Sequence, residues 1–190
     1  MNTTRTTTVT CPNCGRGNRI PVAAEGRPRC GHCKQPLPWV VDAGDDDFAE
    51  VADNATVPVV VDLWATWCGP CRMVSPALEQ VARDLAGQIK LVKVDVDQNP
   101  RLSGRFEVQA VPTLLVLDRG ATLARQAGAA PAHVLRSWVS RRWRGGRPLR
   151  EGEGDGAEED HRRPRPIRPI HGRKLSWPRL STRTWRWCVQ

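Results

Sequence analysis

The run VPVVVDLWA, residues 57–65, constrains the fold more than any other stretch of this chain. It is almost continuously apolar and rich in β-branched residues, which suits a strand buried on both faces, as in a parallel sheet. CGPCRMVSPALEQVARDLAG follows within three residues. There Val74, Leu78, Val81 and Leu85 recur at helical spacing on one face, and Gly87 is a plausible stop. IKLVKVDVD (89–97) reads as another strand, and QNPRLSGRFEV (98–108) as a short helix. TLLVLD (113–118) and ATLARQA (121–127) read as two strands joined by Arg119-Gly120, a hairpin signal. PAHVLRSWVSRRW (131–143) closes the series as an amphipathic helix with Val134, Leu135, Trp138 and Val139 on one face. A further helix begins at residues 47–51. This order predicts an α/β domain with a mixed sheet and helices on both sides.

The 190 residues hold one ordinary domain and something smaller, and 39% hydrophobic content supplies one core. No apolar run approaches the roughly 18–20 residues of a membrane span. The start, MNTTRTTTVT, lacks the apolar stretch of a signal peptide, so a cytoplasmic protein is expected. In a reducing compartment seven cysteines point to metal binding or catalysis rather than a disulfide framework. The net charge of +9 is unevenly placed: residues 141–190 hold 14 Lys+Arg against 6 Asp+Glu. The high pI therefore describes the C-terminal end and is no evidence that the core binds nucleic acid.

Cys68 and Cys71 lie where the strand gives way to the helix. Pro70 fits the first helical turn, where its missing N–H costs nothing. A cysteine there meets unpaired backbone N–H groups and the positive end of the helix dipole, which favour its thiolate. Cys71 lies about one turn further in. One sulfur attacks and the other resolves the mixed disulfide, as dithiol exchange requires. The other readings are half a zinc site or an inert pair, but no second C-x-x-C follows downstream at zinc-like spacing. Asp62 interrupts the apolar run, where burial disfavours the charged carboxylate. It either relays protons to and from Cys71 or points to a wet sheet edge and only ends the pairing.

PVVVDLWATWCGPCRMVSPALEQVA, VKVDVDQNP and VQAVPTLLVLDRG together resemble thioredoxin over residues 38–143. The resemblance implies the thioredoxin fold, with Cys68 as nucleophile, Cys71 as resolving thiol and Asp62 as the buried proton-relay carboxylate. Lys93 then matches the lysine kept close to that acid. Pro76 matches a proline inside the active-site helix. Val111-Pro112 matches a cis-proline loop, with the Val111 backbone presented to an extended substrate. Trp67, Gly69, Pro70, Gly128 and Ala129 match the substrate-docking rim. Trp64 is assigned to core packing. Thr66 and Arg72 fall at positions that vary in the family.

Two outer pairs, Cys11/Cys14 and Cys30/Cys33, enclose 15 residues, within the spacing of a four-cysteine zinc site. A segment with so little apolar content could hardly fold without a metal. The alternative is two disulfides or stray thiols. His32 is an exposed bystander in this reading. A zinc ribbon over residues 1–36 ahead of the domain resembles the bacterial thioredoxin 2 type. That implies a monomeric cytosolic disulfide reductase with structural Zn²⁺ and no organic cofactor. NADPH-dependent thioredoxin reductase would recharge it, oxidised proteins would be its clients, and zinc release on oxidation would tune it.

Residues 144–190 lose both patterns and are expected to be a basic, disordered tail. Trp177, Trp185 and Trp187 interleave with arginines there, so the tail either binds nucleic acid or an anionic surface, or is a reading-frame artefact of GC-rich codons. A 190-residue mass for the protein from its own source would exclude the second. Cys188 is expected to be a free, exposed thiol. Two functions from different classes follow: a protein-disulfide reductase, and a zinc-ribbon and basic-tail binding module with the dithiol as redox sensor.

Overall fold

The computed structural model describes residues 5–145. Near the N-terminus β1 (Thr6–Thr10) and β2 (Gly17–Pro21) form an antiparallel hairpin. Then come β3 (Val40–Asp42), a π-helical turn (Ala49–Asp53), β4 (Val59–Trp64), α1 (Cys71–Asp84) and β5 (Lys90–Asp95). The order ends with α2 (Pro100–Arg105), β6 (Thr113–Asp118), β7 (Ala121–Ala127) and α3 (Ala132–Gly145). Five strands form one sheet in the order β3-β5-β4-β6-β7. β4 lies at its centre, parallel to β5 and antiparallel to β6, so the expected mixed sheet is present.

Strand alternation sorts the side chains into two layers. Val60, Leu91, Leu114 and Val116 face α1 and α3, which bring Val74, Leu78 and Val81, and Leu135, Trp138 and Val139. Val134 was expected on the same stripe but is exposed, because the buried face of α3 runs through Leu135. Each fully buried Leu or Val side chain contributes about 1.5–3 kcal/mol to such a layer. On the opposite face Val59, Val61, Leu63, Val92 and Val94 meet Phe48 and Val51, and Leu102 and Phe106 around α2. The helix expected from residue 47 is a single π-helical turn. The β6–β7 hairpin turns at Arg119 (φ 48°) and Gly120 (φ 79°), both positive as a type I′ turn requires.

Three strands were not foreseen. β1 is a run of threonines around one valine, good β-formers without an apolar run to announce them. β2 and β3 are too short to carry a period.

The N-terminal segment shares the second layer rather than folding apart from it. Ile20, Val22, Leu37 and Trp39 are buried in one cluster with the β4 and β5 side chains. Lys90 is buried at this junction. Its Nζ donates to the Val22 carbonyl at 2.6 Å and to the Val51 carbonyl, and lies 4.2 Å from the centroid of the Trp39 ring. Burial pushes the Lys90 ammonium down to about 8, against the pull of the Asp47 carboxylate. Gly87 (φ 71°) closes the same seam: a Cβ there would stand 2.9 Å from Pro36 Cβ.

Lys90→Met removes a buried donor from two carbonyls, at about 1–3 kcal/mol for each group left unsatisfied. Urea unfolding at pH 7 is expected to show a net loss of roughly 2–4 kcal/mol. The folded chain releases the Lys90 proton more readily than the unfolded chain. The wild type therefore gains stability from this group as pH rises from about 8 toward the unfolded lysine value. The variant lacks that rise.

α3 runs through residues 144 and 145, two positions into the expected tail; the expectations for residues 146–190, Cys188 included, fall outside the described residues.

Candidate functional site

β4 ends at Trp64, and α1 begins at Cys71. No side-chain oxygen caps α1. Instead the Cys68 sulfur accepts the Cys71 N–H at 3.1 Å, so sulfur stands where a capping oxygen often does. Cys68 and Cys71 are joined as a disulfide, and both are buried. They pack with Ala65, flanked by Trp64, Val96 and Val111. Cys68 Sγ therefore stands beside a backbone donor and at the positive end of a 14-residue helix, a setting that favours an anion.

Asp62 lies on the central strand, with 0% of its surface exposed. That excludes the wet-edge alternative. Its neighbours in register are Lys93 on β5 and Leu114 on β6. Ser75 on α1 donates from Oγ to Asp62 Oδ2 at 2.7 Å, while Oδ1 is buried without a hydrogen-bond partner. Burial raises the Asp62 carboxyl above the ordinary range; Ser75 and the Lys93 charge pull it back, and Glu79 pushes it up. Lys93 Nζ pairs with Glu79 Oε1 at 3.2 Å and lies 5.8 Å from the centre of the Trp64 ring. Trp64 is half-buried between the cysteines and this lysine.

A carboxyl raised in this way favours the fold at low pH, and that contribution is lost as pH rises through the folded-state value. Asp62→Asn is therefore expected to unfold several degrees above the wild type at pH 8 and to lose the advantage toward pH 4. Calorimetry across that range measures it. A constant difference at all pH values would contradict the assignment of Asp62 as the burdened group.

The Val111-Pro112 bond is cis. Val111 packs beside the cysteines, and the Pro112 carbonyl accepts the Gly128 N–H at 2.9 Å. The structure thus ties Val111, Pro112 and Gly128 to the cysteine loop. Gly69, Pro70 and Ala129 are exposed near by in the chain. Trp67 is 68% exposed, and its indole N–H donates to Asp97 Oδ2 at 2.8 Å. Met73, 69% exposed, lines an apolar cleft of about 400 Å³ with Val74, Ala77 and Ala129.

The chain thus carries a buried carboxyl on β4, a disulfide where α1 begins and a cis-proline loop packed beside that disulfide. The sequence model of the thioredoxin family matches residues 39–141. The chain belongs to the thioredoxin family. Thioredoxin C-3 of Corynebacterium nephridii is 36% identical over 134 residues, covering 69% of this chain and 92% of the relative. The thioredoxin of Haemophilus influenzae is 40% identical over 101 residues, 53% of this chain and 94% of its own length. That of Bacillus subtilis is 37% identical over 102 residues, 54% and 96%. The chain is a thiol-disulfide oxidoreductase of that family, and it carries a cysteine pair, Cys68 and Cys71, joined as a disulfide. Among the described residues no helix is long and apolar enough to cross a membrane.

The outer cysteines form a second centre. The four Sγ atoms of Cys11, Cys14, Cys30 and Cys33 lie within 4.8 Å of one another. Cys11 is 3.5 Å from Cys33, and Cys14 is 3.6 Å from Cys30. A tetrahedral zinc with bonds of about 2.3 Å would set its sulfurs about 3.8 Å apart, so the cluster fits that ion. All four are free thiols, not the two disulfides of the alternative reading. Each pair sits on a tight turn: Gly15 N–H donates to the Cys11 carbonyl, and Lys34 N–H to the Cys30 carbonyl. Asn18 Oδ1 accepts the Gly31 N–H and joins the two turns.

The backbone N–H groups of Cys33 and His32 bring Cys30 down to about 6. The Arg16 N–H favours the Cys14 thiolate, yet burial and the sulfurs of Cys33, Cys30 and Cys11 push Cys14 up to about 12. Four sulfurs this close resist ionising together, and a dication relieves that conflict. The cluster is consistent with the zinc-binding thioredoxin 2 type.

Ser75, Glu79 and Asp97 escaped the sequence reading. The signal for the first two was their position four and eight residues after Cys71, on the same helix face.

Proposed function

We propose that this protein is a general protein-disulfide reductase, recharged by NADPH-dependent thioredoxin reductase and carrying one structural zinc. The observation that carries the reading is the Cys68–Cys71 disulfide at the start of α1, the helix whose Ser75 donates to the buried Asp62. Cys68 attacks a client disulfide as the thiolate. Cys71 then gives up its proton and displaces the client thiol. Asp62 takes and returns that proton, and Lys93 with Glu79 sets the field around it. Trp67, Gly69, Pro70, Val111, Pro112, Gly128 and Ala129 receive an extended client segment, with the Val111 backbone pairing in strand fashion. Cys11, Cys14, Cys30 and Cys33 hold zinc, which supplies folding energy to the N-terminal segment and takes no part in the exchange. A monomer in a reducing cytoplasm, maintaining protein thiols and answering oxidative stress, fits this chemistry.

Turnover of a protein disulfide with NADPH and thioredoxin reductase tests the reading. Turnover supports it. A folded, metal-bound protein that transfers no electrons overturns it and leaves the binding-module alternative in its place.

A further inference from the structure

The side chain of Asp62 has one described hydrogen bond, and it comes from Ser75. Asp62 itself has no exposed surface. Ser75 opens on a cleft of about 430 Å³ whose walls also include Cys71, Glu79 and Lys93. Ser75 follows Cys71 by four residues on α1, so the two side chains share a helix face. A serine hydroxyl has one proton to donate and lone pairs to accept another. With the proton committed to Asp62 Oδ2, the lone pairs are left for a donor in the cleft.

We infer that Ser75 is a positioning residue that connects the buried Asp62 carboxyl to the cleft on which Cys71 opens, carrying the proton released when Cys71 resolves a mixed disulfide. This rests on Cys71 being the resolving thiol, as proposed above. The step balances. Cys71 loses its proton to the Ser75 oxygen, directly or through water in the cleft, as the Ser75 proton passes to Asp62. The Cys71 thiolate forms a bond to Cys68 Sγ, the bond from Cys68 to the client sulfur breaks, and the electron pair leaves with the client. The proton held by Asp62 returns by the same route to protonate the leaving thiolate.

The other groups around Asp62 do not replace this path. Lys93 on β5 is paired with Glu79 of α1. β6 presents Leu114 in register, and α3 presents Leu135, Trp138 and Val139 to the same layer. Loss of the Ser75 hydroxyl would also remove a donor that favours the Asp62 carboxylate, so its carboxyl would titrate higher still.

The test compares the wild type, Ser75→Ala and Ser75→Thr as full-length, metal-loaded chains, each carrying Cys188→Ser. Two readouts are taken across pH. The first is the Asp62 carboxyl signal by carbon NMR. The second is the two-phase release of thionitrobenzoate from sub-stoichiometric dithiobis-nitrobenzoate, in which Cys68 attacks first and Cys71 resolves second. Ser75→Ala is expected to raise the Asp62 titration and slow the second phase several-fold near neutrality, with the first phase unchanged. Ser75→Thr is expected to restore both. An unmoved titration, or a moved titration with an unchanged second phase, overturns the inference. Because the probe is a small disulfide, a failure of protein-disulfide turnover is read separately.

Discussion

Cys68→Ser is expected to reduce protein-disulfide turnover to the rate of the mixture without enzyme. A hydroxyl at this position is far too weak an acid to be drawn to its anion by one backbone N–H and a helix terminus, whereas a thiol is not. The substitution alters one atom in a loop held by the Cys68 N–H to Ala65 carbonyl bond and by the start of α1, so the fold persists. Cys71→Ser has a different signature. Attack by Cys68 survives, but the client stays attached, and mass spectrometry finds a one-to-one covalent adduct. Residual turnover in Cys68→Ser would place the reactive thiol elsewhere, with the outer four cysteines the first to examine. The absence of an adduct in Cys71→Ser would deny the order of attack and resolution.

The second large effect is expected from stripping a metal from the four-cysteine cluster. A structural four-cysteine zinc contributes folding free energy on the order of 10 kcal/mol in small modules at neutral pH. Residues 11–36 bury only Cys11, Ile20, Val22 and Cys30, too little to hold β2 and the two turns in place. Chelation is therefore expected to release one zinc per chain and to melt β1 and β2. Trp39, held from above by Lys90 and by its indole N–H to the Pro21 carbonyl, would be freed toward solvent. The chain has eight tryptophans, so the fluorescence change is assigned to this one by comparison with Trp39→Phe. Cys30→Ser should reproduce the melted state without a chelator. A purified protein that contains no zinc, and whose spectra ignore chelation, would remove metal from the account.

The sequence made the domain legible because its strongest signals are long. The apolar β4 run, the stripe on α1 and the β6–β7 pair each span enough residues to show a period. The cysteine pairs were legible because spacing alone restricts what four sulfurs can do. The missing pieces were short or non-local. β3 is three residues, and its place beside β5 depends on contacts 51 residues apart in sequence, from Val40 to Leu91. The resemblance implied that Lys93 stands near Asp62, and the two are neighbours in register, but the ammonium turns to Glu79. No local pattern declares which of two carboxylates a lysine chooses. Lys90 was read as one polar position of a strand. Its burial depends on carbonyls from Val22 and Val51, which only the folded chain brings to it.

That lysine changes how the chain can be cut. A protein engineer who trims residues 5–36 to obtain a minimal redox domain would not remove an appendage. The cut would strip one wall from a shared interior, leave Trp39 uncovered and abandon a lysine beneath an apolar face. Such a shortened protein would invite aggregation, and its poor yield would be misread as a defect of the redox centre. The serviceable unit for transplantation starts at β1 and keeps all four outer cysteines.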